Sequence, residues 1–343
     1  MQLLPLDRPV PGAEPADDVV NLVFLANLAA QETTGDTASS TSVERVQHRL
    51  RGSTEYDTHA FKLVAPDEDP AGYLLLSTPL LEDTAVADIE IILDAAFLPL
   101  PGAGFDPDGR DVLQALYDAA ESRAASLGRH VLQTWLLHPA DETPGTGEWA
   151  ELLRGRGYEL GLTEIQGVVE VGTAPTWPDG LTVNIVRDLC FPAPLVDGVL
   201  ALYHRASLDV PHGGMQAEPV DWTPARLEAA ARRVRSTNRE VVSVVLSDES
   251  GVIGISEVTR FPGSEPGIAE QGITMIAPRA RGHGHGLRLK QAVLHAAAAE
   301  LGAARVYTSN AADNRWMIDI NRRLGWRVVS GGSGWQKVLP AAS

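Results

Sequence analysis

The sequence predicts an α/β protein made of two similar halves, and three observations carry that prediction. The chain is 343 residues long, about two domains at roughly 150 residues each. Helical and strand-like runs follow one another in the same order twice. A glycine-rich turn between a strand and a helix lies in the second half, at residues 278–286. Hydrophobic residues make up 44% and charged residues 21% of the chain, an ordinary globular balance with material for two cores.

In the first half, residues 17–28 are apolar at helical spacing (Val20, Leu22, Val23, Leu28), and residues 43–50 read as a second short helix. Residues 59–64 and 73–77 are strand-like runs around the turn-rich link 66–72. Residues 86–93 alternate as a strand, with Ala87, Ile89 and Ile91 on one face. The Gly/Pro-rich stretch 99–109 precedes a helix over 111–127, then a strand over 130–137 and a short helix over 148–154. The second half repeats this order. Helices are expected at 195–207 and 224–234, with Pro192 and Pro194 blocking an earlier start for the first. Strands at 241–246 and 252–258 flank the hairpin turn 247–251. A strand at 272–276, a helix at 287–301, a strand at 305–308 and a helix at 315–324 complete it. Each half is expected to close on a further strand. Residues 173–180 read as a linker between domains 1–172 and 181–343, an internal repeat of whole domains.

The formal charge is −17. Neutralising phosphates needs a clustered basic surface, so nucleic acid is not an expected partner. An acidic field favours cationic partners and also keeps a protein soluble. Cys190 is the single cysteine, which leaves no disulfide and no thiolate zinc cage; its apolar neighbours make it a packing residue. No signal peptide and no apolar run of membrane-spanning length is present, so a cytoplasmic protein without membrane contact is expected.

The most informative segment is 274–287. A strand ends, glycines turn the chain, and a helix begins. Such a turn aims free backbone N–H groups and a helix N-terminus at one point, a site for phosphate. Glycine permits the tight turn and the close approach. The segment lacks the Lys-Ser/Thr of a P-loop and the third glycine of a dinucleotide fingerprint. It fits Arg-x-x-Gly-x-Gly through Arg281, Gly284 and Gly286. That pattern resembles the acetyl-coenzyme A loop of the GNAT N-acetyltransferases. Residues 308–326, Thr-Ser-Asn-Ala-Ala-Asp-Asn-Arg-Trp-Met through Leu324-Gly325-Trp326, are similar to the family's closing motif, and 208–214 to the acceptor-side loop of one two-domain branch. The resemblance covers roughly residues 195–338. In the first half it shrinks to Gly157-Tyr158, and Asp106 and Asp108 stand where a pyrophosphate would be repelled.

The resemblance implies, for each half, a mixed, mostly antiparallel sheet with helices on both sides. It implies acetyl-coenzyme A held by Met275, Ile276, Ala277, Arg281, Gly282, His283, Gly284, His285, Gly286, Asn310, Asn314 and Met317. The reaction implied is direct attack, in a ternary complex, by a primary amine of a small molecule or peptide. The attacking ammonium must lose a proton, for which Glu270 is the candidate base. A backbone N–H near Met275 or Ile276 would meet the charge developing on the carbonyl oxygen. Asn321 falls where many members carry a tyrosine acid, and an amide does not titrate near neutrality. Tyr203, Asp209, His212 and Gln271 are expected on the acceptor side. Asn314 serves equally as a helix cap, Asp209 as a turn residue, and Glu270 as a solvated strand-end carboxylate. His283 and His285 lack a third ligand, so no metal is expected. Three rivals stay open: transfer of another acyl group, a non-catalytic coenzyme A sensor, and a first half that shapes the acceptor site or forms a homodimer.

Overall fold

A computed structural model of the chain describes residues 1–65, 69–99 and 103–340. In chain order its elements are β1 (Gln2–Pro5), α1 (Asp17–Thr34), α2 (Val43–Arg51), β2 (Tyr56–Val64), β3 (Pro70–Pro79), β4 (Val86–Leu93), α3 (Pro107–Ser126), β5 (Val131–Pro139), α4 (Glu148–Gly155) and β6 (Glu159–Glu170). There follow β7 (Thr182–Arg187), α5 (Ala193–Asp209), α6 (Pro224–Ser236), β8 (Glu240–Asp248), β9 (Gly251–Arg260), β10 (Ile268–Ile276), α7 (His285–Leu301), β11 (Arg305–Ala311), α8 (Arg315–Arg323) and β12 (Arg327–Val338). Every expected helix is present. Helix α5 starts two residues earlier than expected, because Pro194 sits in its first turn, where a missing N–H costs nothing.

The chain divides into two compact units whose boundaries differ from 1–172 and 181–343. Unit 1 holds residues 1–165, 212–217 and 329–343; unit 2 holds 166–211 and 218–328. The expected linker 173–180 therefore lies inside unit 2, and β6 and β12 change unit along their length. The reason is pairing. The last strand, β12, runs antiparallel to β5 from Ser330↔Pro139 to Val338↔Val131.

In unit 1 the strand order is β1-β2-β3-β4-β5-β12-β6, and in unit 2 it is β6-β11-β10-β9-β8-β7. Each unit has a parallel pair joined by a helix, β4-α3-β5 and β10-α7-β11, beside antiparallel hairpins. Helices cover both faces of each sheet. In unit 1, α3 packs on Leu74, Leu76, Ile89 and Leu132, while α1 and α2 pack on Ala60, Tyr73, Leu75 and Ile92. In unit 2, Leu289, Val293 and Ala297 of α7 form the expected stripe and bury against Val242, Val244 and Val306. Helix α5 and α6 pack on Val245, Ile255 and Met275 on the opposite face.

Cys190 is exposed rather than packed. Asp188 and Leu189 turn through positive φ after β7 and carry it outward, where Arg235 donates to its sulfur at 3.1 Å.

Candidate functional site

In unit 2 the two parallel strands part. Strands β10 and β11 are in register only at Ile268↔Arg305, Ala269↔Val306 and Glu270↔Tyr307. Both then continue, β10 to Ile276 and β11 to Ala311. Facing strand edges that no longer pair leave a slot lined by backbone donors and acceptors, the partners an extended amide chain requires.

On the β9 side, β10 carries a bulge. Gln271 faces Val258 while Thr274 faces Ser256, so three steps on β10 match two on β9. The extra residue at Gly272–Ile273 breaks the ladder and re-aims the backbone. Gln271 steadies the bulge: its Nε2 donates to the Glu257 carbonyl at 2.6 Å and to Ser256 Oγ at 3.2 Å. Its Oε1 is buried without a hydrogen-bond partner.

Beyond β10 the chain makes the glycine turn. Ala277 N–H closes on the Ile253 carbonyl at 2.8 Å. Gly282 and Gly284 have φ of 83° and 74°, conformations that side chains resist. Gly284 is the N-cap of α7, and no side chain caps that end. The first-turn N–H groups of a helix have no intrahelical partner, so the turn at 282–286 has the donors, and the helix dipole behind them, that could cradle an anion. Gly286 keeps α7 close to α8: a Cβ there would come 3.1 Å from Ile320 Cδ1. Arg281 braces the cradle. Its Nε donates to the Ile276 carbonyl at 3.0 Å and its Nη2 to Asp209 Oδ2 at 2.5 Å. His283 and His285 lie with ring centroids 5.8 Å apart. Burial, then His283 and Arg288, lower the pKa of His285. No cluster able to hold a metal ion occurs among the described residues.

The remaining expected residues fall as follows. Met275 is buried toward α5 and Ile276 toward α7. Asn314 caps α8, accepting from Met317 N at 3.2 Å. Asn310 Nδ2 donates to Thr308 Oγ1 at 3.4 Å. Asp209, expected near the acceptor, is held by Arg205 at 2.6 Å as well as by Arg281. Hydrogen bonds from Arg205 and Arg281 lower its pKa against the opposing effect of partial burial. His212 belongs to unit 1 and not to the unit holding the others. Asn321 is fully buried, and its Oδ1 accepts from Lys290 Nζ at 2.6 Å while its Nδ2 has no partner.

Two residues escaped the sequence reading. Lys290 is one; burial brings its pKa down to about 7. Glu257 is the other. Its Oε1 accepts from Tyr203 Oη and from Ser243 Oγ, both at 2.6 Å. Burial pushes the Glu257 pKa up, and the two hydroxyl bonds only partly oppose this. Tyr203 is pushed well above its ordinary value by burial and by Glu257, so it stays a donor. By register, Glu270 faces Thr259, two residues from Glu257, so both carboxylates lie on the α5–α6 face. Phe191 and Trp222 stack about Tyr203 there, at 6.4 and 4.7 Å between ring centroids. A lone Glu in a strand pattern gave no signal of this cluster.

Unit 1 has the same parting of strands and, among its described residues, no glycine cradle. Strands β4 and β5 are in register only from Val86↔Val131 to Ile89↔Thr134. At the start of α3, however, Asp106 caps the helix, accepting from Gly109 N at 2.6 Å. Glu148 accepts from Phe105 N at 2.6 Å and pairs with Arg110. Carboxylates thus close the start of α3. Residues 100–102 of that loop lie outside the described residues.

Residues 202–327 match the family model described as an acetyltransferase (GNAT) domain. Among solved structures, the chain is similar to a tandem GNAT protein from the clavulanic acid biosynthesis pathway, described without acetyl-coenzyme A. The identity is 18%, the likeness covers 100% of this chain and 99% of that one, and the TM-score is 0.75. It is also similar to a GCN5-related N-acetyltransferase from Sphaerobacter thermophilus, at 18% identity, 100% and 97% coverage and a TM-score of 0.63. These likenesses establish the fold over the whole chain. No curated protein matches the sequence.

Proposed function

We propose that residues 202–327, which match the acetyltransferase (GNAT) domain model, move an acetyl group from acetyl-coenzyme A to a primary amine of a small molecule or peptide. The observation that carries the reading is the slot between β10 and β11, with the uncapped N-terminus of α7 at 284–286 following β10. The slot suits an arm that contains amides, and the cradle suits a pyrophosphate. Asn310 and Asn314 flank the β11 end of the slot. Bound acetyl-coenzyme A would supply the activated acyl group; the chain supplies the rest. The bulged backbone at 272–274 offers an N–H to the charge that develops on the carbonyl oxygen.

We assign the general base to Glu257 rather than to Glu270. It is the carboxyl whose surroundings raise its proton affinity toward neutrality, which suits removal of a proton from an ammonium. Tyr203 and Ser243 fix its orientation. Glu270, on the same face, adds negative potential that draws a cationic acceptor. Asn321 has no titratable proton to give; Lys290, bound to it, holds one near neutral pH.

Calorimetric titration of acetyl-coenzyme A into the whole protein tests the reading. One binding site is expected, abolished by Gly284→Glu, which strains a positive φ and places a carboxylate in the cradle. Release of free thiol in the presence of an amine panel then reports turnover, which is to be lost in Glu257→Gln with cofactor affinity kept. Absence of binding in the wild type refutes the reading. Binding without turnover on any amine would favour a sensor.

A further inference from the structure

Unit 1 contains a cavity that the acyltransferase reading does not use. It has a volume of about 180 Å³, with Tyr56, Asp83, Asp88, Gln133, Trp135 and Met215 in its lining. Its floor is the sheet face that carries α1 and α2. Ser77 is in register with Asp88, and Asp88 with Gln133, so these side chains share one face, and Trp135 follows two residues on. This face is the counterpart in unit 1 of the α5–α6 face in unit 2, where the acceptor is placed.

One wall comes from an unexpected part of the chain. Residues 212–217, sequence neighbours of the unit 2 helices, count with unit 1. Glycines dock them. Gly214 N donates to the Gly161 carbonyl at 2.8 Å. A Cβ on Gly213 would lie 2.1 Å from that same oxygen, and one on Gly161 would lie 2.6 Å from Met215 Sδ. Gln336 and Gln133 pin the loop further. Gln216 N donates to Gln336 Oε1 at 2.6 Å, and Gln133 Nε2 donates to the Gln216 carbonyl at 2.9 Å. Such a wall is built, and its position is fixed on the cavity.

The lining is acidic and aromatic at Asp83, Asp88, Tyr56 and Trp135, with His212 and the apolar Pro79, Val86 and Leu162 beside them. No hydrogen bond to the Asp88 carboxylate is found among the described residues; its pKa departs from the ordinary value through burial first, then Arg49 and Asp83. Arg49 is already engaged, with Glu90 and with Ser77. Burial and then the carboxylates of Asp88, Asp83, Glu55 and Glu82 raise the Tyr56 pKa, a mark of negative potential at the mouth. Trp135 is 45% exposed and lies over Gly334, whose added Cβ would come 3.0 Å from the indole ring. A desolvated carboxylate beside open aromatic faces is a setting that favours an organic cation over an anion or a neutral group.

We propose that this cavity binds the alkylammonium group of a small amine, with Asp88 as its counter-ion and Trp135 and Tyr56 as its aromatic walls. Binding here is without transfer, since Asp106 and Glu148 occupy the helix end that an acyl donor would need. The site stands whether or not unit 2 transfers acetyl.

The test uses butylammonium chloride as probe on the full chain, with saturation transfer to its methyl protons as the readout. Saturable binding is expected. Asp88→Asn, a substitution of equal shape, is to weaken it at least about tenfold. Trp135→Leu, at a partly exposed position, is to weaken it about threefold. Gly284→Glu, which disables the cradle in unit 2, is to leave it unchanged. Butan-1-ol, of the same length and without charge, is not to compete. The proposal is overturned if butylammonium does not saturate, if both cavity variants titrate as wild type, or if butan-1-ol competes equally. Loss of binding in Gly284→Glu would move the site to unit 2.

Discussion

Replacing Asp88 by asparagine should make the protein more stable at neutral pH, against the usual expectation for a partly buried polar residue. The folded chain raises the Asp88 pKa from 3.8 to about 6, chiefly by burial, with Asp83 adding to the shift and Arg49 opposing it. A group that binds its proton more tightly when folded destabilises the fold wherever it is charged. Above pH 6 the penalty is complete; it shrinks as pH falls and is gone below the unfolded value near 3.8. At about 1.4 kcal/mol per unit, a shift of roughly two units is worth at most about 3 kcal/mol. Asparagine has the shape of the protonated acid and carries no such penalty. Urea unfolding at pH 7.5 should therefore show Asp88→Asn more stable by about 2–3 kcal/mol, and the two proteins should converge at pH 3.5. Comparing variant with wild type at each pH cancels the other carboxylates, such as Asp209, whose pKa moves the opposite way. If Asp88→Asn is less stable than wild type at pH 7.5, the carboxylate has a structural partner and the reasoning on the cavity fails. Butylammonium should also narrow the gap, because it stabilises the wild type more than the variant.

Glu257→Gln should lower kcat by about 10²–10⁴-fold while leaving cofactor affinity intact, and the acid limb of the wild-type pH–rate profile should lie above the ordinary carboxyl range, as burial dictates. Lys290 has a folded pKa of about 7 against an ordinary value of 10.5, so wild-type stability should rise with pH between those values. In Lys290→Met that rise should be absent, and an unchanged slope would place Lys290 in water. Asp106→Ala should cost unit 1 about 1 kcal/mol through loss of the α3 cap, seen as a lower urea midpoint; no change would mean the cap is dispensable.

Much of this architecture is legible in the sequence, for identifiable reasons. The helices show 3.6-residue periodicity, and the Leu289, Val293, Ala297 stripe buries as its spacing requires. Glycine marks the cradle because positive φ at Gly282 and Gly284 leaves little alternative. What stays hidden is long-range. The pairing of β12 with β5 unites residues about 200 apart in sequence, and the glycines at 331, 332 and 334 weaken any local strand signal. The docking of 212–217 on unit 1 depends on glycines at 161 and 213, which locally read only as a turn. Glu257 is invisible for a similar reason: its hydroxyl partners come from β8 and α5, and only the assembled fold desolvates it. The resemblance implies Asp209 on the acceptor side, while its pairing with two arginines is a matter of packing geometry.

The two units share one topology and differ at a single place, the start of the crossover helix. In unit 2 that end is made of glycines with uncapped amides. Each glycine costs roughly 0.5–1 kcal/mol of chain entropy relative to alanine, and the dipole there is unopposed. In unit 1 the same end is closed by Asp106 and by Glu148, itself paired to Arg110. A cap is worth about 1 kcal/mol, and a carboxylate near the dipole adds about 0.3–1 kcal/mol. Unit 1 is therefore stable at this point without any ligand, and on the proposed function unit 2 would gain its stability there from an anion. A ligand present at 100 times its dissociation constant contributes about 2.7 kcal/mol, similar in size to what the carboxylates supply in unit 1. Coenzyme A should thus raise the unfolding midpoint of unit 2 and leave that of unit 1 in place. A single ligand separating the two transitions would assign the cradle to one unit by thermodynamics alone.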